Sequence, residues 1–150
     1  MSGHALEVLE FERVLERVAR RASSELGRAR VRSLRPRFDR EEIVRELARV
    51  AATARFQEER PDWGLGVIPD VREPLRRLAV DGAVFEPLEL YRVGELLSTS
   101  RLLRLELIQR EARFPELHQI ADGLVELLQL EEAITKSVDS EGQVLSSASR

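Results

Sequence analysis

The chain has 150 residues, and its 24 basic and 27 acidic side chains give a formal net charge of -3. This length suits one domain with a real core, and 34% charged and 43% hydrophobic residues are typical of a water-soluble globular protein. The absence of cysteine excludes disulfides, cysteine-ligated zinc and thiol catalysis. No apolar run approaches the ~20 residues of a membrane span, and there is no signal peptide. We therefore expect a cytoplasmic protein without a membrane partner.

Charge is unevenly distributed along the chain. Residues 13–60 contain 14 arginines against 8 acidic residues, whereas residues 61–150 contain 10 basic residues against 16 acidic ones. A protein that is acidic overall can therefore carry a basic region suited to an anionic partner.

The first part of the chain shows helical spacing of apolar residues. One amphipathic helix is predicted from Phe11 to Ala22. A second begins at Ser23 or Ser24 and ends before Pro36, because the residue before a proline disfavours the helical conformation. Asp39, with Glu42 three residues later, predicts the start of a third helix. The stripe expected to face inward on that helix consists of Ile43, Leu47, Val50 and Ala54.

The second part of the chain predicts one short helix, one long helix and two further short pieces. The short helix starts with the pair Asp70 and Glu73, and the longest runs from Pro87 to about Ala112. Short helical pieces follow over residues 117–121 and 127–136. A turn at Gly142 leads to at most one short strand. The predicted fold is all-α: an irregular bundle of about five to seven helices around one long central helix, forming a single domain over residues 1–150.

The second half of the long helix is apolar on nearly all sides. Either this half is a central core helix covered from several directions, or it presents a face to a partner. The residues predicted for the partner interface are Leu102, Leu105 and Ile108.

An arginine-rich segment is the strongest electrostatic feature. Residues 28–37 contain five arginines and no acidic residue, and Arg28, Arg32 and Arg35 share one face if they are helical. With Arg37 they are the candidate nucleic-acid-binding residues, because guanidinium groups bind phosphates. The alternative is that these arginines pair with the acidic remainder of the chain or with another domain. The lack of interleaved aromatic residues weakens a site for single strands.

Sequence motifs for catalysis or cofactor binding are missing. Residues 63–67 contain two glycines but match neither phosphate-binding pattern, and the acidic residues around Gly142 lack the spacing of a calcium loop. We therefore predict no catalytic, cofactor or metal site in this chain.

Six segments, taken in their order along the chain, carry a resemblance to a known family. They are residues 9–15, 22–28, 34–36, 68–72, 87–90 and 139–149. Together they resemble the second bacterial MutS family, a MutS paralogue without the mismatch-recognition domain that usually ends in a small Smr nuclease domain. Two positions depart from the pattern: Glu86 replaces a usual serine cap, and Ser146 replaces a usual aspartate.

The resemblance implies that the chain is the N-terminal helical core region of a homodimeric ABC-type ATPase. ATP, Mg and the nuclease would then be bound or carried by the remaining domains of the same polypeptide, beyond these residues. The family is linked to branched DNA, with suppression of recombination, and to collided ribosomes, so DNA or ribosomal RNA is the implied partner. The serine-rich end also resembles a connection, from which we expect a fragment of a longer protein.

Overall fold

The computed structural model describes residues 7–64 and 66–148, so that one of the two histidines, His4, lies outside the described part. The prediction of an all-α fold with one long helix is confirmed. The helices are α1 (Phe11–Ala19), α2 (Glu25–Arg32), α3 (Arg40–Glu59), α4 (Arg72–Arg77), α5 (Pro87–Gln109), α6 (His118–Asp122) and α7 (Leu128–Ser137), with 3₁₀ turns at Pro115–Leu117 and Ser146–Ala148.

Contacts divide the chain into two compact units, Met1–Arg37 and Phe38–Arg150. In the first unit α1 packs against α2, and Leu15 and Ala19 are buried on α1. The division into units does not test the assignment of a single domain over residues 1–150, which stays a prediction.

Side chains at the starts of α2 and α3 satisfy backbone donors, as predicted. The Ser24 hydroxyl accepts a hydrogen bond from the Gly27 amide at 3.0 Å. The Asp39 carboxylate accepts one from the Glu42 amide at 2.8 Å. Each cap satisfies one of the amides that the first turn of a helix leaves unpaired, so these helix starts could be predicted from local sequence.

The start of α4 differs from the prediction. Val71 is the residue before the helix, and no side chain caps it. Asp70 instead accepts hydrogen bonds from the backbone and the guanidinium of Arg72. These bonds, the side-chain bond first, lower the pKa of Asp70 to about 2. The Asp70 carboxylate therefore binds Arg72, whereas the capping pattern predicted that it would cap the helix together with Glu73.

An aromatic cluster forms the centre of the second unit. The rings of Phe56 and Trp63 meet edge to face with centroids 4.9 Å apart, and those of Phe56 and Phe114 with centroids 5.5 Å apart. Edge-to-face pairs of this kind add to the stabilisation that burial provides. The buried members of the cluster are Ala52, Phe56, Leu107, Phe114, Leu117 and Ala121.

The inward stripe predicted for α3 is wrong. Ala52 and Phe56 are the buried residues of this helix, and at about 100° per residue they lie opposite the expected stripe. Phe56 decides the orientation, because its ring makes the aromatic contacts of the core. The predicted residues Ile43, Leu47, Val50 and Ala54 are exposed.

The long helix α5 begins at Pro87, as predicted, and ends at Gln109 rather than near Ala112. The Glu89 carboxylate accepts a hydrogen bond from the Glu86 amide at 3.1 Å, which satisfies the amide that precedes the helix. At 1.5 Å per residue the helix is about 35 Å long.

Helix α7 packs closely on the first half of α5. A Cβ atom at Gly94 would lie 2.8 Å from Cγ2 of Ile134, so glycine permits this approach. After α7 the chain turns at Gly142, which has a φ of 77°. In the described residues the predicted short strand is reduced to a single antiparallel bridge between Val138 and Val144.

Candidate functional site

The four arginines predicted to bind nucleic acid do not form one helical stripe. Helix α2 ends at Arg32, so Arg35 and Arg37 follow the helix. Arg28 donates to the Glu25 carboxylate at 2.8 Å and to the Ala22 carbonyl at 3.0 Å.

Arg32 forms a two-pronged ion pair with Glu16 of α1. Its Nε and Nη2 atoms lie 2.9 and 3.2 Å from the two carboxylate oxygens of Glu16. These hydrogen bonds are the largest cause of a lowered pKa of Glu16 and a raised pKa of Arg32. Arg35 donates to the Leu34 carbonyl at 2.8 Å. Nucleic-acid binding by Arg28, Arg32, Arg35 and Arg37 therefore stays a prediction, with carboxylates of the first unit already bound to two of them.

The sequence left two interpretations of the second half of α5, a core helix or a face for a partner. In the structure this half has one side in contact with the core and one side that is exposed. Leu107 is buried and Leu103 packs against the core cluster. In contrast, Leu102, Leu105 and Ile108 are 52%, 50% and 42% exposed. With about 100° between successive residues, these three span a band roughly 120° wide along one side of the helix. We call this band the α5 face.

The residues before and after Pro61 add a groove beside the α5 face. Trp63 and Gly66 line it from the loop, and Leu102, Leu103 and Leu105 line it from α5. Its volume is about 380 Å³. Sequence reasoning treated Trp63 only as part of a turn. An aromatic residue among glycines was the signal that this loop has an apolar neighbour.

Two ion pairs that include residues of α5 lie near the α5 face. Arg60 donates to Glu106 at 2.6 Å. Arg101 donates through Nε and Nη2 to both carboxylate oxygens of the buried Glu131, at 2.8 Å each. The Arg101 hydrogen bonds are the largest cause of a lowered pKa of Glu131. The α5 face therefore consists of exposed apolar side chains with charged residues close by, and protein interfaces have a similar mixed composition.

The described residues contain neither a group of side chains that could hold a metal ion nor a helix that could cross a membrane. In residues 7–64 and 66–148, no three histidine, aspartate or glutamate side chains are grouped so that they could hold a metal ion. The Nδ1 atom of His118 lies 3.2 Å from Oε1 of Glu111, and its Nε2 atom lies 3.2 Å from Oδ2 of Asp122. Across the same residues, every helix is too short or too polar to cross a membrane.

Comparison with known proteins connects these features to one family. The chain is 42% identical over 154 aligned residues to the protein named endonuclease MutS2 of Gemmatimonas aurantiaca. It is 34% identical to that of Geobacillus thermodenitrificans and 30% identical to that of Pelotomaculum thermopropionicum. Each match covers 99% of this chain but 19% of the relative, so the chain spans about one fifth of the relatives' length.

No family model and no solved structure matches the chain. The curated relatives nevertheless agree with the resemblance seen in the ordered sequence segments. Over nearly all of its residues, the chain matches the N-terminal region of MutS2, the second bacterial MutS family.

Proposed function

We propose that this chain is a helical core segment of a MutS2-type protein that acts on DNA. It supports the dimer and couples the state of an ATPase domain to the parts that hold nucleic acid, with no chemistry of its own. The α5 face is the observation that carries this proposal: Leu102, Leu105 and Ile108 are exposed on the helix that contributes the buried Leu107 to the core.

Exposure of this face has an energetic consequence. Covering a leucine or isoleucine side chain contributes about 1.5–3 kcal/mol relative to leaving it in water. Three such residues beside a groove that Trp63 and Leu103 also line therefore favour docking against another protein surface. The remaining domains of the same polypeptide are the first candidate partner, and the second subunit of a homodimer is the next.

The attachment of α5 supports a role in transmission. Close packing at Gly94 and Ile134 fastens its first half to α7, and Leu107 joins its second half to the core. A continuous helix about 35 Å long that is held at both halves moves as a unit. A displacement applied at the α5 face would therefore reach the opposite end of the helix.

The chemistry of the complete protein is assigned to residues outside this chain. The sequence contains no ATP-binding motif, so ATP and Mg would bind to other domains, as would the substrate of a nuclease. The relatives' name, endonuclease, supports DNA as the target. A collided ribosome is the alternative target.

The double substitution L102Q/L105Q tests the proposal in a MutS2-type polypeptide carrying this segment. We expect stimulation of ATP hydrolysis by DNA to fall about tenfold, because the polar side chains weaken docking of the α5 face. The measurements are steady-state ATP hydrolysis with and without DNA, and sedimentation velocity for the dimer.

L130Q provides a matched control. Leu130 lies on α7 and is 47% exposed, close to the exposure of Leu102 and Leu105. This variant should retain both the DNA stimulation and the dimer. Normal stimulation and a normal dimer in L102Q/L105Q would contradict the proposed role of the α5 face.

A further inference from the structure

The outward side of α1 carries arginines that the sequence analysis did not select. Arg13, Arg17 and Arg20 follow one another at helical spacing and line a surface hollow of about 350 Å³. Arg21 continues the row two residues after Ala19, the last residue of α1. At about 100° per residue, this row lies opposite the buried residues Leu15 and Ala19. We call these four residues the α1 arginine row.

In the α1 arginine row, two arginines have a carboxylate partner and two have none among the described residues. The side chains of Arg13 and Arg20 are 78% and 76% exposed, and their carboxylate partners are Glu10 at 2.5 Å and Glu16 at 3.7 Å. Arg17 and Arg21 are exposed and form no ion pair with any residue that the structure describes. Exposed ion pairs are weak, so a polyanion can displace the glutamates.

Arg32 of α2 competes with Arg20 for the carboxylate of Glu16. Both carboxylate oxygens of Glu16 accept hydrogen bonds from Arg32, at 2.9 and 3.2 Å. Arg20 is left with a single longer approach of 3.7 Å to the same carboxylate. Arg32, which was selected from the sequence as a candidate for nucleic-acid binding, therefore binds Glu16, the acidic residue beside the α1 arginine row.

The geometry of the row suits the backbone of a double helix. From Arg13 to Arg20 the helix rises about 10 Å, a distance along which duplex DNA presents roughly six phosphate charges. Guanidinium groups bind phosphate oxygens with two parallel hydrogen bonds. Phe11 is the single aromatic residue among residues 7–37, and it lies on the opposite side of α1, so stacking on single-stranded bases is not supported.

We propose that the α1 arginine row binds the phosphodiester backbone of a nucleic-acid duplex without reading its sequence. The inference deepens the proposed function, on which it rests for the identity of the polyanion. Arg13, Arg17, Arg20 and Arg21 contact phosphates, and Arg32 is a positioning residue that acts through Glu16.

The test is a titration of the full chain with a fluorescent 30-base-pair DNA duplex, followed by anisotropy at several salt concentrations. Compared with the wild type, R13Q/R17Q/R20Q should bind on the order of a hundredfold more weakly near physiological salt. The slope of log K against log salt should become shallower by about 0.9 for each lost phosphate contact. Circular dichroism checks that the variant retains its helices.

A matched triple variant controls for net charge. R45Q/R76Q/R92Q removes three exposed arginines from the second unit and should bind with nearly unchanged affinity and salt slope. Equal losses in the two triple variants would overturn the proposal, because the effect would then belong to total charge. An unchanged titration of R13Q/R17Q/R20Q would also overturn it.

Further arms identify the ligand. Equal binding of DNA and RNA duplexes, or a preference for one of them that R13Q/R17Q/R20Q removes, supports a phosphate site and distinguishes its source. Competition by polyglutamate at equal charge would overturn it in favour of an acidic protein ligand. These titrations contain no ATP and leave the α5 face intact, so their failure is distinguishable from failure of the coupling role.

Discussion

Among single residues, Glu131 shows how a charge is accommodated in the interior. Its carboxylate is buried, and Arg101 donates two hydrogen bonds of 2.8 Å to it. Because Arg101 favours the ionised form, the pKa of Glu131 lies below its ordinary value of 4.5. The unfolded chain therefore takes up a proton at a higher pH than the folded chain. The stabilisation is present above the ordinary value and is lost as the pH falls through the folded value.

Replacing this carboxylate should destabilise the second unit. We expect E131Q to lower the free energy of unfolding by about 1–3 kcal/mol at pH 7, because the substitution leaves Arg101 without its charged partner. The difference from the wild type should shrink as the pH falls through the lowered pKa of Glu131, because the wild-type carboxylate then becomes protonated as well. Urea unfolding at pH 7 and pH 3 measures the difference in free energy of unfolding between E131Q and the wild type at each pH.

The neighbouring residue supplies the comparison. Glu132 is exposed and reaches Lys136 at 3.5 Å. E132Q should change the free energy of unfolding by less than about 0.5 kcal/mol, since exposed pairs contribute little. A pH-independent loss in E131Q would show that the carboxylate charge is not the cause.

At the scale of elements, the contact between α5 and α7 depends on the absence of a side chain at Gly94. A Cβ atom there would approach Cγ2 of Ile134 to 2.8 Å, and Ile134 is itself 4% exposed. The crowded atom belongs to a β-branched side chain, which has little rotational freedom. Glycine in mid-helix costs roughly 1 kcal/mol relative to alanine, so the close packing of the two helices offsets a local cost.

Alanine at position 94 should destabilise the protein despite its higher helix propensity. We expect G94A to lower the free energy of unfolding by about 1–2 kcal/mol, because the added methyl group overpacks the contact. A double-mutant cycle with I134A, measured by urea unfolding, should show a coupling of at least about 0.5 kcal/mol.

G123A tests the same substitution where space is available. The nearest atoms to a Cβ there are 3.6 Å away, which is ordinary contact distance. G123A should therefore change stability by much less than G94A. Full additivity of G94A and I134A would rule out the proposed steric contact.

At the scale of the whole molecule, the division into two units separates a basic helical pair from a larger body with an aromatic core. The second unit contains all of the buried aromatic cluster. The first unit ends at Arg37, and fewer than about 40 residues rarely provide enough buried surface to fold alone. The two units should therefore differ in their capacity for independent folding.

Removal of the first unit tests this difference. A chain of residues 38–150 should retain a cooperative thermal transition within a few degrees of that of the full chain, because its core contacts are internal. A peptide of residues 1–37 should be largely unfolded by circular dichroism. Loss of cooperative unfolding in residues 38–150 would contradict the assignment of an independent core.

Local chemistry predicted the elements better than their orientation. Ser24, Asp39 and Pro87 marked helix starts correctly, since capping depends on a few adjacent residues. The inward stripe of α3 was wrong because this helix has apolar residues on two opposite sides. The choice between them depends on Phe114, which is distant in sequence, and on Trp63 in the loop that follows the helix.

The same distinction applies to the candidate sites. The partner interface predicted at Leu102, Leu105 and Ile108 stays a prediction, and the exposure of these residues depends on which neighbours cover α5. The arginines of residues 28–37 were selected by their density along the sequence. In the folded chain, Arg17 and Arg21 are exposed without an ion pair to a described residue, whereas Arg32 binds Glu16.

The sequence alone determined the helical class, the long helix, the caps of α2 and α3 and the family, because each follows from periodicity, local hydrogen bonding or ordered similarity. The tertiary structure alone decided which side of α3 is buried, which leucines of α5 stay exposed and which arginines are free to meet an anion. Those outcomes depend on contacts between residues far apart in the chain, and no local pattern records them.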